Sequence, residues 1–351
     1  VSWWAVALGV QLGELVSRRK ISLSDLSGRT IAVDAFNILY QFLSIIRGLD
    51  GRSLMDKEGR ITSHLSGLLY RNASLVEMGV LPSYVFDGEP PKLKRLEIVR
   101  RAEAKRVATV KYEKALAEGR REDVRTYAQA TARLTGPMVS DAQRLLSLMG
   151  IPWLQAPSEG EAQAAHMAAK RDVYAAASQD YDSILFGAPV LVRNIAITGR
   201  RKLPRRNVYV EVEPEVVELD LVLRHLNIDR AGLINLGILI GTDYNPGRIR
   251  GMGPKTALKL VSRYKTIQEI RGHLENGGRF TVDPEELVKL FLEPEVTERY
   301  ELRWVEPDVE GVVGFLCGER AFSEDRVRKA LDRMGPGLRR VQGRSTLEKW
   351  F

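Results

Sequence analysis

The chain has 351 residues, 44% of them hydrophobic, enough to bury a large core in one elaborated domain or two ordinary ones. Its single cysteine, Cys317, excludes an internal disulfide framework and thiolate-rich metal sites and points to a reducing, intracellular setting. The net charge of +8 favours a polyanionic partner, nucleic acid first, and the apolar run from Val1 to Leu8 is too short for a membrane span or an export signal, so neither is expected.

Ile31-Ala32-Val33-Asp34 predicts a buried strand that leaves through a carboxylate, with a helix beginning at once. An apolar period from Thr62 to Met78, with Thr62 or Ser63 as N-cap and Gly79 as terminator, predicts the next helix, and Ser83-Tyr84-Val85-Phe86-Asp87 the next strand. Between Lys92 and Thr135 the composition changes to Ala, Arg, Lys and Glu without a strand signal, which predicts an insertion of two charged helices broken around Gly119. From Lys92 to Arg133 there are thirteen Lys and Arg against six Asp and Glu, so the segment is either a solvated face or a polyanion-binding one.

A helix follows from Pro137 to Gly150, then a strand from Ile151 to Ala156, and Pro157-Ser158-Glu159-Gly160-Glu161 opens another helix. Asp172 to Ser178 predicts a strand leaving through Gln179-Asp180-Tyr181-Asp182. Val190 to Ala196 and Val208 to Val212, on either side of Thr198-Gly199-Arg200-Arg201-Lys202, predict a basic-tipped hairpin, and the chain is mainly helical from Leu219 onward. The alternation argues for an α/β fold with a central, mostly parallel twisted sheet flanked by helices.

In such sheets the carboxyl ends of the strands are where residues distant in sequence meet. Here those positions are repeatedly acidic: Asp34, Asp87, Glu159, Glu161, Asp180 and Asp182 fall at or just past strand exits, and Asp243 follows the apolar helix Leu233 to Ile240. Seven converging carboxylates repel one another unless cations offset them, and an all-oxygen set suits magnesium or manganese; a pair of such ions supports phosphodiester hydrolysis. Each acid also has a local reading. Ser158 and Glu161 have the spacing of a capping box, Glu159 suits the positive end of a helix dipole, and Asp34, Asp180 or Asp182 suits an N-cap.

The strings that carry this pattern resemble the flap endonucleases, structure-specific 5′ nucleases, most closely the archaeal type. They include Gly9-Val10-Gln11, Tyr40-Gln41-Phe42-Leu43, Thr62-Ser63-His64-Leu65, Phe86-Asp87-Gly88-Glu89-Pro90-Pro91, Ser158-Glu159-Gly160-Glu161, Ser178-Gln179-Asp180-Tyr181-Asp182, Gly241-Thr242-Asp243-Tyr244 and Gly251-Met252-Gly253-Pro254-Lys255. The resemblance implies that Asp34, Asp87, Glu159, Glu161, Asp180, Asp182 and Asp243 hold two Mg2+ ions, with Mn2+ able to substitute. It makes the basic insertion, about 92–135, a helical arch for the 5′ arm, and makes Lys94 and Arg101 its catalytic cations.

It further implies that Tyr40 stacks on a terminal base, that Arg47 touches the template backbone, that Thr62 lines a pocket for an unpaired 3′ nucleotide, and that Gly9 lies close to the reaction centre. Gly251, Gly253 and Lys255 belong by resemblance to a helix–two-turn–helix element, about 233–263, that grips duplex DNA with K+. Leu347, Trp350 and Phe351 look like a docking tail for the sliding clamp PCNA, with Arg344 where the family has glutamine.

The implied organisation is one nuclease core, with an N-terminal region 9–135, an internal region 136–335 and a clamp-binding tail 336–351. The implied function is magnesium-dependent cleavage of branched DNA in Okazaki fragment maturation and base excision repair, with some 5′–3′ exonuclease activity, by a cytoplasmic archaeal monomer. The alternatives are an exonuclease or excision-repair nuclease of the same superfamily, or a catalytically silent junction binder or clamp adaptor. The 71 residues between Asp87 and Glu159 leave room for a compact arch and no large extra domain.

Overall fold

The computed structural model describes residues 10–48, 51–120, 123–124, 127, 131–196, 199–202, 209–246, 249, 251–274 and 280–347. After β1 (Arg19–Lys20), β2 (Thr30–Asp34) runs directly into α1 (Ala35–Ile45), and α2 (Ser63–Glu77) leads into β3 (Leu81–Phe86). Then come α3 (Arg95–Ala117), α4 (Gly136–Leu148), β4 (Trp153–Gln155), α5 (Gly160–Ala169), β5 (Ala175–Ala177), α6 (Asp182–Leu185), β6 (Val190–Arg193), β7 (Gly199–Lys202), β8 (Tyr209–Val212) and β9 (Glu215–Glu218). The rest is helical: α7 (Leu219–Leu226), α8 (Arg230–Ile240), α9 (Pro254–Arg263), α10 (Ile267–His273), α11 (Pro284–Leu292), α12 (Val309–Val313) and α13 (Glu324–Leu347).

Seven strands form one sheet in the order β1-β9-β6-β5-β2-β3-β4. The five strands from β6 to β4 are parallel to their neighbours, while β9 pairs antiparallel with β6 and β1. The chain runs from β2 outward through β3 to β4, then returns to place β5 on the other side of β2. That reversal opens a crevice at the carboxyl ends of β2 and β5, where α/β sheets collect ligands.

Alternating side chains divide the core between the two faces of the sheet. Ile31, Val33, Tyr84 and Phe86 pack with α1, α2, α4 and α13, whereas Ala32, Val85, Ala176 and Leu191 pack with α5, α7 and α8. Because both faces are covered, the parallel strands read as continuous apolar runs rather than as alternating ones. α13 lies along α2, burying Val327, Ala330, Leu331, Met334 and Leu338.

The expected hairpin is corrected. Leu191 and Val192 are wholly buried, so Val190–Arg193 joins the main sheet between β5 and β9 instead of forming a hairpin arm. The hairpin is made by β7 and β8, paired from Gly199 with Val212 to Lys202 with Tyr209, so the basic run read as the tip is itself a strand. Gly119, at φ +65°, follows the end of α3, as the sequence predicts. The second charged helix beyond it falls largely outside the described residues.

Candidate active site

The acids are delivered by backbone elements that end at the same side of the sheet. Asp34 closes β2 and also caps α1, accepting a hydrogen bond from Asn37 N at 2.9 Å. Asp87 follows β3 and accepts from Gly160 N at 2.7 Å, which ties the exit of β3 to the first residue of α5. Asp182 opens α6 and accepts from Val10 N at 2.9 Å, so the N-terminal segment reaches the site. Asp180 Oδ2 accepts from Asn37 Nδ2 at 2.8 Å. Ser178 Oγ sits 2.9 Å from Glu161 Oε1 and 3.3 Å from Asp34 Oδ2, between acids from two different strand exits.

Of the side-chain capping readings, that of Asp34 is realised, and Glu159 stands at the amino end of α5 as its dipole reading requires. Glu159 is the N-cap of α5 but its side chain makes no cap bond there, and Tyr181 rather than either aspartate precedes α6. Ser158 Oγ donates to the Glu89 carbonyl at 3.1 Å, and Glu161 turns to Ser178. Partners from other strands displace the capping box.

Two cations from the beginning of the insertion lie among these acids. Lys94 Nζ is 2.5 Å from Glu159 Oε2 and 4.0 Å from Asp243 Oδ2, and Arg101 Nη2 donates to Asp243 Oδ2. Burial pulls the Lys94 ammonium downward, but Glu159 and Asp243 more than offset it and hold it above its ordinary value. The same balance, with Asp243 and Glu97 as partners, raises Arg101.

The carboxylates are raised as well, which for an acid disfavours the charged form. Burial, with repulsion from Asp34, pushes Asp87 up to about 6, and burial with repulsion from Asp243 pushes Asp182 up to about 7. Glu161 and Asp180 are raised well above the ordinary carboxylate range, by burial first and then by repulsion, from Asp180, Asp34 and Asp182 on Glu161 and from Asp182, Asp243 and Asp34 on Asp180. A cluster in which withdrawal from water and like charge both oppose ionisation is short of positive charge.

Two family patterns match the chain, the XPG N-terminal domain at residues 7–108 and the XPG I-region at 150–243, together more than half its length. Flap endonuclease 1 of Thermococcus onnurineus is 54% identical over 345 residues, covering 98% of this chain and 99% of that protein. Flap endonuclease 1 of Pyrococcus furiosus is 52% identical over 345 residues, with 98% and 99% covered. The chain belongs to the flap endonuclease family. The solved flap endonuclease-1 from Methanococcus jannaschii superposes with a TM-score of 0.75 at 40% identity, covering 96% of this chain and 100% of that one. The catalytic core of Rad2, solved with a DNA substrate, shares the fold at a TM-score of 0.68 and 24% identity.

Flap endonucleases are divalent-metal-dependent nucleases of branched DNA, and the donor set here suits that chemistry. Carboxylate oxygens are the ligands that hard divalent cations take, and the raised carboxylates mark a deficit that such a cation fills. Among the described residues, no three acids already surround one point as the ligands of a single ion do. Glu159 and Asp243 are turned instead toward Lys94 and Arg101.

The other residues singled out by resemblance are spread more widely. Tyr40 is half-buried on α1, with Lys105 Nζ of α3 4.7 Å from its ring centroid. Arg47 donates to the carbonyls of Leu43 and Ser44 at 3.0 Å and of Gly51 at 3.3 Å, closing the end of α1. Thr62 is buried at the N-cap of α2. Gly251 and Gly253 precede α9, with Gly253 as N-cap, Pro254 in the first turn and Lys255 exposed beside it. Leu347 is the last residue of α13. Gly9, Trp350 and Phe351 lie outside the described residues. No described helix is long and apolar enough to cross a membrane.

Sequence reasoning missed four residues that hold the site together. Asn37 bridges Asp34 and Asp180, Ser178 joins Asp34 and Glu161, Glu97 binds Arg101, and buried Tyr244 lies under Lys94, its ring centroid 5.7 Å from Nζ. Two had a readable signal. Asn37 stands three residues after an N-capping aspartate, and Glu97 stands four before Arg101 on one helix face.

Proposed function

We propose that this flap endonuclease hydrolyses a single phosphodiester at, or one nucleotide inside, the junction where a 5′ single-stranded arm leaves duplex DNA. The observation that carries this reading is the insertion of Lys94 and Arg101, at the start of the arch, against Glu159, past the exit of β4, and Asp243, past the end of α8. A nuclease site needs positive charge on the scissile phosphate at the place where acids gather metal, and here the same segment that borders the 5′ arm delivers it.

Asp34, Asp87, Glu159, Glu161, Asp180, Asp182 and Asp243 are the residues that would hold the cations, magnesium with manganese able to substitute, two per site. Bound there, such ions would supply activation of the attacking water and positive charge to offset that on the leaving oxygen. Lys94 and Arg101 then turn from carboxylate to phosphate, polarising it and stabilising the charge that develops. Tyr40 stacks on the base beside the break, which suits recognition of shape rather than sequence.

The turn from Gly251 to Lys255 presents the amino end of α9 to the downstream phosphates, with K+ as its partner ion. Arg47, Thr62 and Gly9 complete the junction contacts. The tail from Leu347 to Phe351 docks one helical turn into the hydrophobic groove of the sliding clamp PCNA. The enzyme acts as a monomer in the cytoplasm of an archaeon, in Okazaki fragment maturation and base excision repair, with 5′–3′ exonuclease activity as a minor reaction.

A substrate series of equal length tests the reading: a 5′ flap, a blunt duplex, a bubble and a single strand, each with magnesium. The flap should be cut most rapidly, to one product ending at the junction and carrying a 5′-phosphate. Binding of the flap with no cut would mark a silent junction binder. Preferred cutting of the bubble would mark an excision-type nuclease.

A further inference from the structure

Glu97 is out of character with the helix that carries it. α3 is almost wholly exposed, and only Glu97 and Ala115 along it are buried. A buried carboxylate is costly unless it is paired and hydrogen-bonded, so its partners explain its place. The Glu97 side chain keeps 2% of its accessible surface. Its Oε1 accepts from Arg101 Nε at 2.8 Å and Arg100 Nη2 at 2.8 Å, and its Oε2 from Arg100 Nε at 2.6 Å.

Arg100 and Arg101 are adjacent in sequence, and their like charges oppose one another. Glu97 offsets that repulsion and holds Arg101 by Nε, the atom nearest its stem, leaving Nη2 to reach Asp243. A guanidinium held at one edge keeps its plane while its free edge changes partner. It therefore arrives at a phosphate already oriented, without the rotamer freedom of an untethered arginine.

We propose that Glu97 is a positioning residue for the cleavage reaction, fixing the Arg101 guanidinium so that its Nη2 edge exchanges the Asp243 carboxylate for a phosphate oxygen. This rests on the reading of Arg101 as a cation that acts on the scissile phosphate. Glu97 acts through Arg101, its carboxylate being taken up by Arg100 and Arg101. Its removal should therefore lower the rate at saturating DNA and leave affinity unchanged or slightly tighter, since a negative charge leaves a basic arch.

The test is a double-mutant cycle in single-turnover cleavage of a 5′-flap DNA, with affinity and melting temperature measured for each protein. Glu97→Ala should slow cleavage by roughly ten- to a hundredfold, the range for a displaced catalytic group. Glu97→Gln, which keeps volume and one acceptor for Arg101 Nε, should recover part of that loss. In an Arg101→Ala background Glu97→Ala should change the rate little.

A Glu97→Ala loss that multiplies with that of Arg101→Ala would overturn the proposal, as would a loss confined to affinity or matched by a fall in melting temperature in both Glu97 variants. If Arg101→Ala cleaves like the parent, the reading of Arg101 fails and takes the proposal with it. Those two failures are distinguished by the Arg101→Ala protein alone.

Discussion

Lys94 Nζ lies 2.5 Å from Glu159 Oε2, so a buried ion pair anchors the root of the arch to the amino end of α5. Removing one member of such a pair leaves an uncompensated charge. Lys94→Ala should lower stability by about 3 kcal/mol in chelator, and a divalent cation should recover much of the loss. Cleavage should fall on the order of a hundred- to a thousandfold even with metal present. Melting curves with and without chelator, beside single-turnover rates, separate the two effects.

The acid cluster trades stability for function. Glu161 is raised well above the usual carboxylate range by burial and by repulsion from Asp180 and Asp34. Glu161→Gln should keep an acceptor for Ser178 Oγ while relieving that repulsion. The chelated variant should melt higher than the chelated parent, by roughly 0.5–2 kcal/mol of stability, gain less on addition of metal, and cleave poorly. Calorimetry at several metal concentrations reads both signs.

His64 makes stability sensitive to acid. It is fully buried in α2, neither ring nitrogen has a hydrogen-bond partner, and burial, with Arg320 adding to it against Asp141, pushes it from 6.5 down to about 4. Between those values the unfolded chain takes up a proton that the folded chain refuses, so stability from this group falls as pH falls. The loss is on the order of 3 kcal/mol and complete near pH 4. Denaturant midpoints of the parent minus those of His64→Leu should show that fall; the difference removes the titration of the acid cluster, common to both proteins.

Gly337 brings the backbone of α13 against the end of α2, where an added Cβ would stand 1.8 Å from the Val76 carbonyl oxygen. Backbone cannot yield as a side chain can, so Gly337→Ala should cost about 1–3 kcal/mol. The acids come from strand exits and from the end of α8, not from α2 or α13, and the cleavage rate below the melting transition should stay near that of the parent. Thermal melts and rate measurements on one preparation check both.

What could be read in the sequence follows from where each constraint is local. The run Ile31 to Val33 reveals a strand because both its faces are buried, and Asp34 is legible as its exit. The strand read from Asp172 to Ser178 shrinks to Ala175–Ala177, since the backbone N–H groups of Asp172 and Val173 bond back to the Met167 carbonyl near the end of α5. β7 was hidden because its residues, Gly199-Arg200-Arg201-Lys202, carry no apolar alternation. The acids were legible as residues at element ends, but the hydrogen bonds and ion pairs between them were not. Arg101 reaches Asp243 across 142 residues and Asn37 reaches Asp180 across 143, distances at which no local pattern survives.

The most direct test of the central claim uses a 5′-labelled double-flap DNA with magnesium, comparing the parent with Asp182→Ala. Asp182 is a buried acid that links the cluster to Val10 N. The parent should make one cut at or one nucleotide inside the junction, abolished by chelation, and the variant should bind the DNA without cutting it. Cleavage by Asp182→Ala at the rate of the parent, or by the parent in chelator, would contradict the assignment of these acids to a divalent-metal nuclease site.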